Sequence, residues 1–300
     1  DRFLDSYSIH GQSGWVLPTN DFVKGNNTQQ TPISLIYAAS LRYERQTDGS
    51  RPWHQLYDYP SYGLGLYIAD FNVKNQLGKP IALYGFMSSY VINKPKWSLK
   101  TEISIGLAFN WQHFSTENPL NDAMGASLSC YIDAGMSAYR LIGSKFEIGA
   151  GLSLSHFSNG AMAKPNKGLN VITPKLSLKY KPYGAFEYAQ TQLPPFTSTI
   201  EDLTTFFIGS HNVLTILPRN EVDKQYNKKS YLVFGLDKRF LKRFTYKHSF
   251  GIGFGLGYNQ YIGTSYYIQN REIRLRESNF MERFNLNVYL FCLIIDEICL

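Results

Sequence analysis

The sequence predicts an all-β protein: a transmembrane, antiparallel, up-and-down β-barrel of about 12 strands, within a range of roughly 8 to 14. Many segments alternate apolar residues with small or polar ones at a period of two, the pattern of strands with one face toward lipid. The 300 residues include 22 Tyr, 20 Phe and 24 Gly, a composition typical of barrels with aromatic girdles at both membrane interfaces. No segment approaches the ~20 apolar residues of a transmembrane helix, which argues against a helical membrane protein.

The predicted strands form one domain that spans 1–300. Eleven segments alternate clearly, and a weaker twelfth at 5–16 gives the even number usual in bacterial single-chain barrels. The eleven lie near 33–44, 62–71, 80–92, 97–111, 124–140, 145–158, 169–181, 202–213, 229–240, 246–260 and 282–293. The last residues, 290–300, break the alternation and are interpreted as a tail outside the strand or as an incomplete end of the chain.

The period of two also assigns the two faces of each strand. The outward row of 97–111 comprises Leu99, Ile103, Ile105, Leu107, Phe109 and Trp111. Five charged residues point into the lumen instead: Lys100, Glu102, Asp133, Lys175 and Lys179. Because charges in a narrow lumen must pair with one another, these five are predicted to form a structural salt-bridge network and not a catalytic site.

The lengths of the connections predict which end of the barrel faces outward, because barrels have short periplasmic turns and longer extracellular loops. With the loop after Ser158 placed outside, the short turns Asn93–Lys96, Leu141–Ser144 and Leu241–Thr245 are periplasmic. The longer loops 112–123, 214–228 and 261–281 are then extracellular. Two Pro-containing segments, 45–61 and 182–201, are long and periplasmic in this arrangement, and they do not fit the rule.

The net charge and the spacing of the cysteines indicate which binding partners to expect. The formal net charge of +7 suits a surface that meets the phosphates of outer-leaflet lipopolysaccharide. Basic residues are spread along the chain without a nucleic-acid motif, so no nucleic-acid partner is expected. Cys130, Cys292 and Cys299 show no metal-ligand spacing, and no metal is predicted. An outer-membrane protein needs a signal peptide, so the numbering is expected to begin at the mature Asp1.

The most informative motif lies at the end of 145–158. His156 and Ser158 follow Leu152 and Leu154 on the even, apolar face of this strand. If that face meets lipid, Ser158 is a candidate nucleophile and His156 its general base, both directed at the bilayer. Asn170 leads the outward row of the next strand, and in an antiparallel hairpin its amide oxygen can hold the His156 N–H.

The loop between these two strands contains candidate donors for an oxyanion hole. They are Asn159, Asn166 and the backbone N–H groups around Gly160. Gly160 and Gly168 also permit the tight backbone that such a loop needs. The same Asn, Pro and Gly residues suit ordinary turn chemistry, and that alternative stays open.

At these residues the chain resembles the outer-membrane lipid A 3-O-deacylase family of acyloxyacyl hydrolase-like β-barrels. The resemblance rests on His156-Phe-Ser158-Asn159-Gly160 and on Pro165-Asn166-Lys-Gly168-Leu with a strand directly after it. It implies a bacterial outer-membrane enzyme that hydrolyses the ester-linked acyl chain at the 3-position of lipid A, with lipopolysaccharide as partner and no cofactor. By the same resemblance Ser158 is the nucleophile, His156 the general base, and Asn159, Asn166 and the Gly160 region the oxyanion positions.

The chain departs from that family at one position of the site. Where the family has a Glu as the acidic member of the triad, this sequence has Asn170, which can orient the His156 ring but cannot stabilise its positive charge. A second hypothesis is therefore a catalytically silent, deacylase-like barrel that binds lipopolysaccharide or acts as a component of an outer-membrane protein complex. A small channel is a third hypothesis. Five inward aromatic residues argue against it because they should plug a narrow lumen: Tyr84, Phe86, Tyr90, Tyr131 and Tyr139.

Overall fold

The computed structural model describes residues 4–73, 76–160, 162–184, 186–214, 226–246, 248–262, 265–269, 272–276 and 283–293. The sequence predicts one domain over 1–300, whereas the structure has two compact units, Asp1–Gln192 and Leu193–Leu300. Among the described residues, the barrel closes before the chain ends, and the strands that follow it pair with one another. Within the described ranges, no helix has the length and apolarity that a membrane crossing requires.

The first unit is a closed antiparallel barrel in which each strand pairs with the next and β8 pairs with β1. Its elements are β1 (Asp5–Val16), β2 (Leu35–Gln46), α1 (Pro52–Leu56), β3 (Ser61–Asp70), β4 (Gly78–Asn93), β5 (Trp97–Trp111), β6 (Ser129–Ile142), β7 (Phe146–Ser158) and β8 (Leu169–Tyr180). The predicted fold class is confirmed. The barrel has eight strands, which is the low end of the predicted range, and the weak segment 5–16 is the strand that closes it.

The second unit contains an antiparallel sheet in the order β14-β11-β10-β9 and a separate hairpin, β12-β13. Its strands are β9 (Ile200–Leu214), β10 (Tyr226–Arg243), β11 (Ser249–Asn259), β12 (Ser265–Gln269), β13 (Glu272–Arg276) and β14 (Phe284–Leu293). The four strands predicted in this half of the chain are present, and the hairpin is an addition. Residues 294–300 of the predicted tail lie outside the described residues.

The outer face of the barrel carries the predicted apolar rows. Ile103 and Ile105 on β5 and Leu152 and Leu154 on β7 are each at least half exposed, while the residues between them turn inward. A continuous exposed apolar surface on every strand is the arrangement that lipid requires.

Trp111 is a correction to the predicted outward row, because its side chain is only 4% exposed. Asn110, directly before it, has a φ of 69°, which lies in the left-handed region and interrupts the extended backbone. The interruption turns the last residue of β5 inward, and Trp111 Nε1 donates a hydrogen bond to Ser129 Oγ at 2.9 Å.

The charges in the lumen form two groups in which one carboxylate lies between two cations. Glu102 accepts from Arg42 at 2.6 Å and from Lys175 at 3.2 Å. Glu44 lies 2.6 Å from Lys179 and 3.4 Å from Lys100. The predicted inward direction of Lys100, Glu102, Lys175 and Lys179 is confirmed. Of the predicted set only Glu102 and Lys175 pair with each other, because Glu44 and Arg42, which were not predicted, supply the other charges.

Asp133 points inward as well, where its Oδ2 accepts hydrogen bonds from Ser153 Oγ and Ser155 Oγ. Neither Asp133 nor Glu102 therefore reaches the outer face, and neither can supply an acid to His156.

One end of the barrel is closed by an apolar core, and we call it the loop end because the segments 17–34, 71–77, 112–128 and 159–168 connect strands there. The Tyr131 ring lies 5.1 Å from the Tyr67 ring and 5.2 Å from the Phe157 ring. Phe22 and Met124, from two of the loops, are fully buried in the same core. Aromatic rings thus fill the lumen at this end, and the loops are held in place around the end of β7.

Candidate active site

His156 and Ser158 lie at the loop end of β7 and face outward. Both are half-buried, and the residue between them, Phe157, is fully buried in the core. They continue the row of Leu152 and Leu154, because alternate residues of a strand share a face. The two side chains therefore stand on the lipid-facing surface, as predicted.

Asn170 is the cross-strand partner of His156 in the β7–β8 ladder. His156 Nδ1 lies 2.7 Å from Asn170 Oδ1. An amide oxygen only accepts, so this hydrogen bond places the ring proton on Nδ1 and leaves Nε2 as the basic nitrogen. The hairpin thus brings together the two residues that the sequence predicted to meet.

Ser158 stands beside His156 under the returning loop. In the part of the chain that the structure describes, no hydrogen bond joins Ser158 Oγ to the His156 ring. Gly168 covers both residues: a Cβ on it would lie 3.0 Å from His156 Cε1 and 3.5 Å from Ser158 Cβ. Its φ of 71° is also in the left-handed region, so glycine is required here for space and for backbone conformation.

The three predicted oxyanion residues have different surroundings. Asn159 is fully buried, its Nδ2 donates to the Ala163 carbonyl at 2.9 Å, and its backbone N–H donates to Asn166 Oδ1 at 2.9 Å. Asn159 therefore holds the loop together. A backbone N–H only donates, so Asn166 must present Oδ1 to the Asn159 N–H. The Nδ2 of Asn166 therefore points away from Asn159 and is not used in this contact. Gly160 is exposed, and a Cβ on it would meet nothing within 4 Å.

Two residues of the segment 17–34, which the sequence does not predict to be near the site, support it. Asn170 Nδ2 donates to Thr19 Oγ1 at 3.2 Å. Asn20, which is buried, donates through Nδ2 to the Gly168 carbonyl at 2.8 Å. Leu17-Pro-Thr-Asn-Asp reads as turn sequence, and nothing local in it indicates a partner about 150 residues away.

A charged contact anchors the same loop from segment 112–128. Lys167 Nζ lies 2.6 Å from Asp122 Oδ2, and the hydrogen bond to Asp122 raises the pKa of Lys167 above its ordinary value. The backbone N–H groups of Lys167 and Gly168 also donate to the carbonyls of Asp122 and Ala123. The loop that covers His156 and Ser158 is therefore tied to two other loops.

The comparisons with known proteins concern mainly the barrel. The family model described as "Lipid A 3-O-deacylase (PagL)" matches residues 37–179, a range that contains His156, Ser158 and Asn170 but not Thr19. No curated protein is significantly similar to the chain.

Two solved structures are similar to part of the chain. The crystal structure of the outer membrane enzyme PagL has 15% identity and a TM-score of 0.34, and the match covers 58% of this chain and 97% of that one. The crystal structure of Neisserial surface protein A (NspA) has 7% identity and a TM-score of 0.33, with 60% of this chain and 96% of that one covered.

Proposed function

The family model described as "Lipid A 3-O-deacylase (PagL)" matches most of the barrel, and we propose that the protein hydrolyses an acyl ester of lipid A in the bacterial outer membrane. The observation that carries the proposal is the 2.7 Å hydrogen bond between His156 Nδ1 and Asn170 Oδ1 on the lipid-facing side of the barrel. It orients the ring and leaves its basic nitrogen available beside Ser158.

In the first half of the reaction, Ser158 Oγ attacks the ester carbonyl carbon while its proton passes to His156 Nε2. The Oγ–carbon bond forms, and the carbonyl electron pair moves onto oxygen. The Gly160 backbone N–H and Asn166 Nδ2 are the proposed donors to that oxyanion. The intermediate collapses to an acyl-enzyme as the sugar oxygen leaves with the proton that His156 returns.

In the second half, water replaces the sugar. His156 Nε2 takes a proton from the water as the oxygen attacks the acyl carbon, and it then returns the proton to Ser158 Oγ. The products are a free fatty acid and lipid A with one fewer acyl chain. Asn170 Oδ1 accepts the Nδ1 proton throughout and keeps Nε2 directed at the reacting oxygen.

The placement of the site supports a lipid substrate. The row from Leu152 to Ser158 runs from the apolar band to the loop end, so an acyl chain can lie along the apolar residues while its ester reaches Ser158. A water-soluble ester would gain nothing from catalytic groups on a lipid-facing surface. Lipid A has its ester bonds between acyl chains and a phosphorylated sugar, which matches a site between apolar residues and loops.

Asn170 supports a second candidate, the catalytically silent barrel that binds lipopolysaccharide. A neutral amide orients the ring but does not stabilise the imidazolium that forms during the reaction. We propose the hydrolase as the primary function because the amide oxygen still accepts the Nδ1 proton. The catalytically silent barrel is the alternative that the test below can establish.

The test is deacylation by the purified protein in detergent micelles that contain lipopolysaccharide, followed by mass spectrometry of lipid A. The wild-type protein should release one ester-linked acyl chain, and Ser158→Ala should release none. Ser13 on β1 is also an exposed, outward serine, so Ser13→Ala is the matched control and should retain activity. Deacylation by Ser158→Ala at the wild-type rate would contradict the proposal. Intact lipid A with the wild-type protein but hydrolysis by Asn170→Glu would establish the silent barrel.

A further inference from the structure

We infer that Thr19 is a positioning residue that sets the orientation of the Asn170 amide and thereby the tautomer of His156. The inference rests on the proposed function, since it concerns how the proposed base is prepared. Thr19 lies in the segment between β1 and β2, and its Oγ1 accepts from Asn170 Nδ2 at 3.2 Å. It lies outside the range 37–179 that the family model matches.

The Asn170 amide has two orientations with opposite consequences for His156. With Oδ1 toward the ring, His156 carries its proton on Nδ1, and Nε2 can accept the Ser158 proton. With Nδ2 toward the ring, Nδ1 must accept, the proton moves to Nε2, and the base is lost. A carboxylate has two equivalent oxygens, so this problem arises only because Asn occupies the position.

The neighbours of Asn170 differ in kind from those of the other two loop amides. Asn159 faces a carbonyl and Asn166 faces a backbone N–H, and the fixed polarity of these groups determines each orientation. Asn170 lies between an imidazole nitrogen and a hydroxyl, and both can donate or accept. Its orientation therefore depends on where the Thr19 hydroxyl directs its own proton.

The structure gives that proton a separate acceptor. Thr19 Oγ1 lies 3.5 Å from the Leu17 carbonyl, at the long limit of a hydrogen bond. When the hydroxyl donates to Leu17, its lone pairs face Asn170 Nδ2, which turns Oδ1 toward His156. The backbone fixes this geometry, because Leu17 N donates to the Asn170 carbonyl at 2.8 Å and Thr19 N donates to the Leu17 carbonyl at 2.8 Å.

The first test compares Thr19→Val with Thr19→Ser. Valine keeps the shape and removes the hydroxyl, so we expect kcat to fall roughly three- to tenfold, the effect of one neutral hydrogen bond, with KM unchanged. Serine keeps the hydroxyl and should retain wild-type kcat. Equal losses in the two variants would overturn the inference.

The second test repeats Thr19→Val in the Asn170→Glu background. A carboxylate needs no orientation, so the loss of kcat caused by Thr19→Val should disappear. A loss of the same size in both backgrounds would show that Thr19 only stabilises the loop, and it would contradict the inference.

The third test does not depend on activity. The ¹⁵N chemical shifts of histidine-labelled protein in micelles report the tautomer of His156, which is assigned by the signal lost in His156→Gln. In its neutral form the wild-type ring should carry its proton on Nδ1, and Thr19→Val should increase the Nε2–H form. A wild-type Nε2–H ring, or a tautomer that Thr19→Val leaves unchanged, would overturn the inference. If the wild-type protein has no hydrolase activity, the proposed function fails, and this measurement still decides the role of Thr19.

Discussion

Across the β7–β8 ladder, His156 Nδ1 and Asn170 Oδ1 stand 2.7 Å apart on the outer face of the barrel. The pair has the geometry of the base and orienting residue of a catalytic triad, with a neutral amide where a carboxylate is usual. The substitution preserves the orientation of the ring and removes the charge that would stabilise its protonated form.

Asn170→Glu should therefore raise kcat for lipid A deacylation by at least about tenfold, below a ceiling of about 10⁴, the loss that follows Asp-to-Asn replacement in a serine protease triad. The added charge stabilises the imidazolium in the transition state. Deacylation rates of the purified variants measure the effect. Asn170→Gln is the matched control, because it has the same length as Glu and no charge; equal rates for the two variants would contradict the electrostatic explanation.

Gly168→Ala should reduce kcat and also destabilise the barrel. The new Cβ would lie 3.0 Å from His156 Cε1, so the ring must shift by a few tenths of an ångström from its position beside Asn170. A positive φ adds a strain of about 1–2 kcal/mol for alanine. The measurements are deacylation rate and the free energy of unfolding in micelles.

Gly143→Ala separates the backbone strain from the contact with His156. Gly143 has a similar φ of 63°, and a Cβ on it would meet nothing within 4 Å. We expect a comparable loss of stability and an unchanged kcat. If Gly143→Ala reduces kcat as much as Gly168→Ala does, the contact with His156 does not explain the effect.

Glu102→Gln should destabilise the barrel by about 3–5 kcal/mol, because it leaves Arg42 and Lys175 buried without their carboxylate. Arg42→Met should reduce the free energy of unfolding by less, because Glu102 still has its ion pair with Lys175. Denaturant unfolding in micelles measures both. The kcat of the folded variants should equal that of the wild type because these side chains face the lumen. A larger loss for Arg42→Met than for Glu102→Gln would refute this order.

Acidification should loosen the segment around α1, at the end of the barrel opposite the proposed active site. His54 Nδ1 accepts from the Gly49 N–H at 3.1 Å, and burial lowers the pKa of His54 below its ordinary value of 6.5. The unfolded segment then binds a proton more readily than the folded one, so the stability is present above pH 6.5 and is lost as the pH falls through the lowered pKa.

Hydrogen exchange of residues 48–57 measures this opening, which should increase by up to about tenfold per pH unit in that range. The Asp48 carboxylate raises the pKa of His54, so Asp48→Asn should lower that pKa further. The loss of stability on acidification should then continue to lower pH than in the wild type. The turn 94–96 contains no carboxylate or histidine and provides the internal reference. Uniform acceleration in both segments would exclude His54 as the cause.

The direction of side chains was predictable because it is a local property of each strand. Alternation placed Leu152, Leu154, His156 and Ser158 on one outward face, and it directed Asp133 into the lumen. It failed at Trp111, where one residue in the left-handed region reverses the face of the next. A pattern of residue types does not reveal such a backbone angle at an Asn.

Barrel closure was not predictable in the same way. A period of two specifies the two faces of a strand, but it does not specify which strand pairs with which. Twelve similar strands are compatible with a barrel of eight or of twelve. The pairing of β8 with β1 joins segments that are far apart in the sequence, and the alternation within either strand does not encode it.

The sequence by itself determined all eight strands of the barrel and most of their outward residues. It also determined the meeting of His156 with Asn170, because a hairpin joins these two residues over a short loop. Only the tertiary structure decided what surrounds that pair. Closure of the barrel carries segment 17–34 across to β8, so that Thr19 and Asn20 reach Asn170 and Gly168 from positions 151 and 148 residues earlier. Contacts across such separations depend on the global arrangement of strands, and no local pattern encodes them.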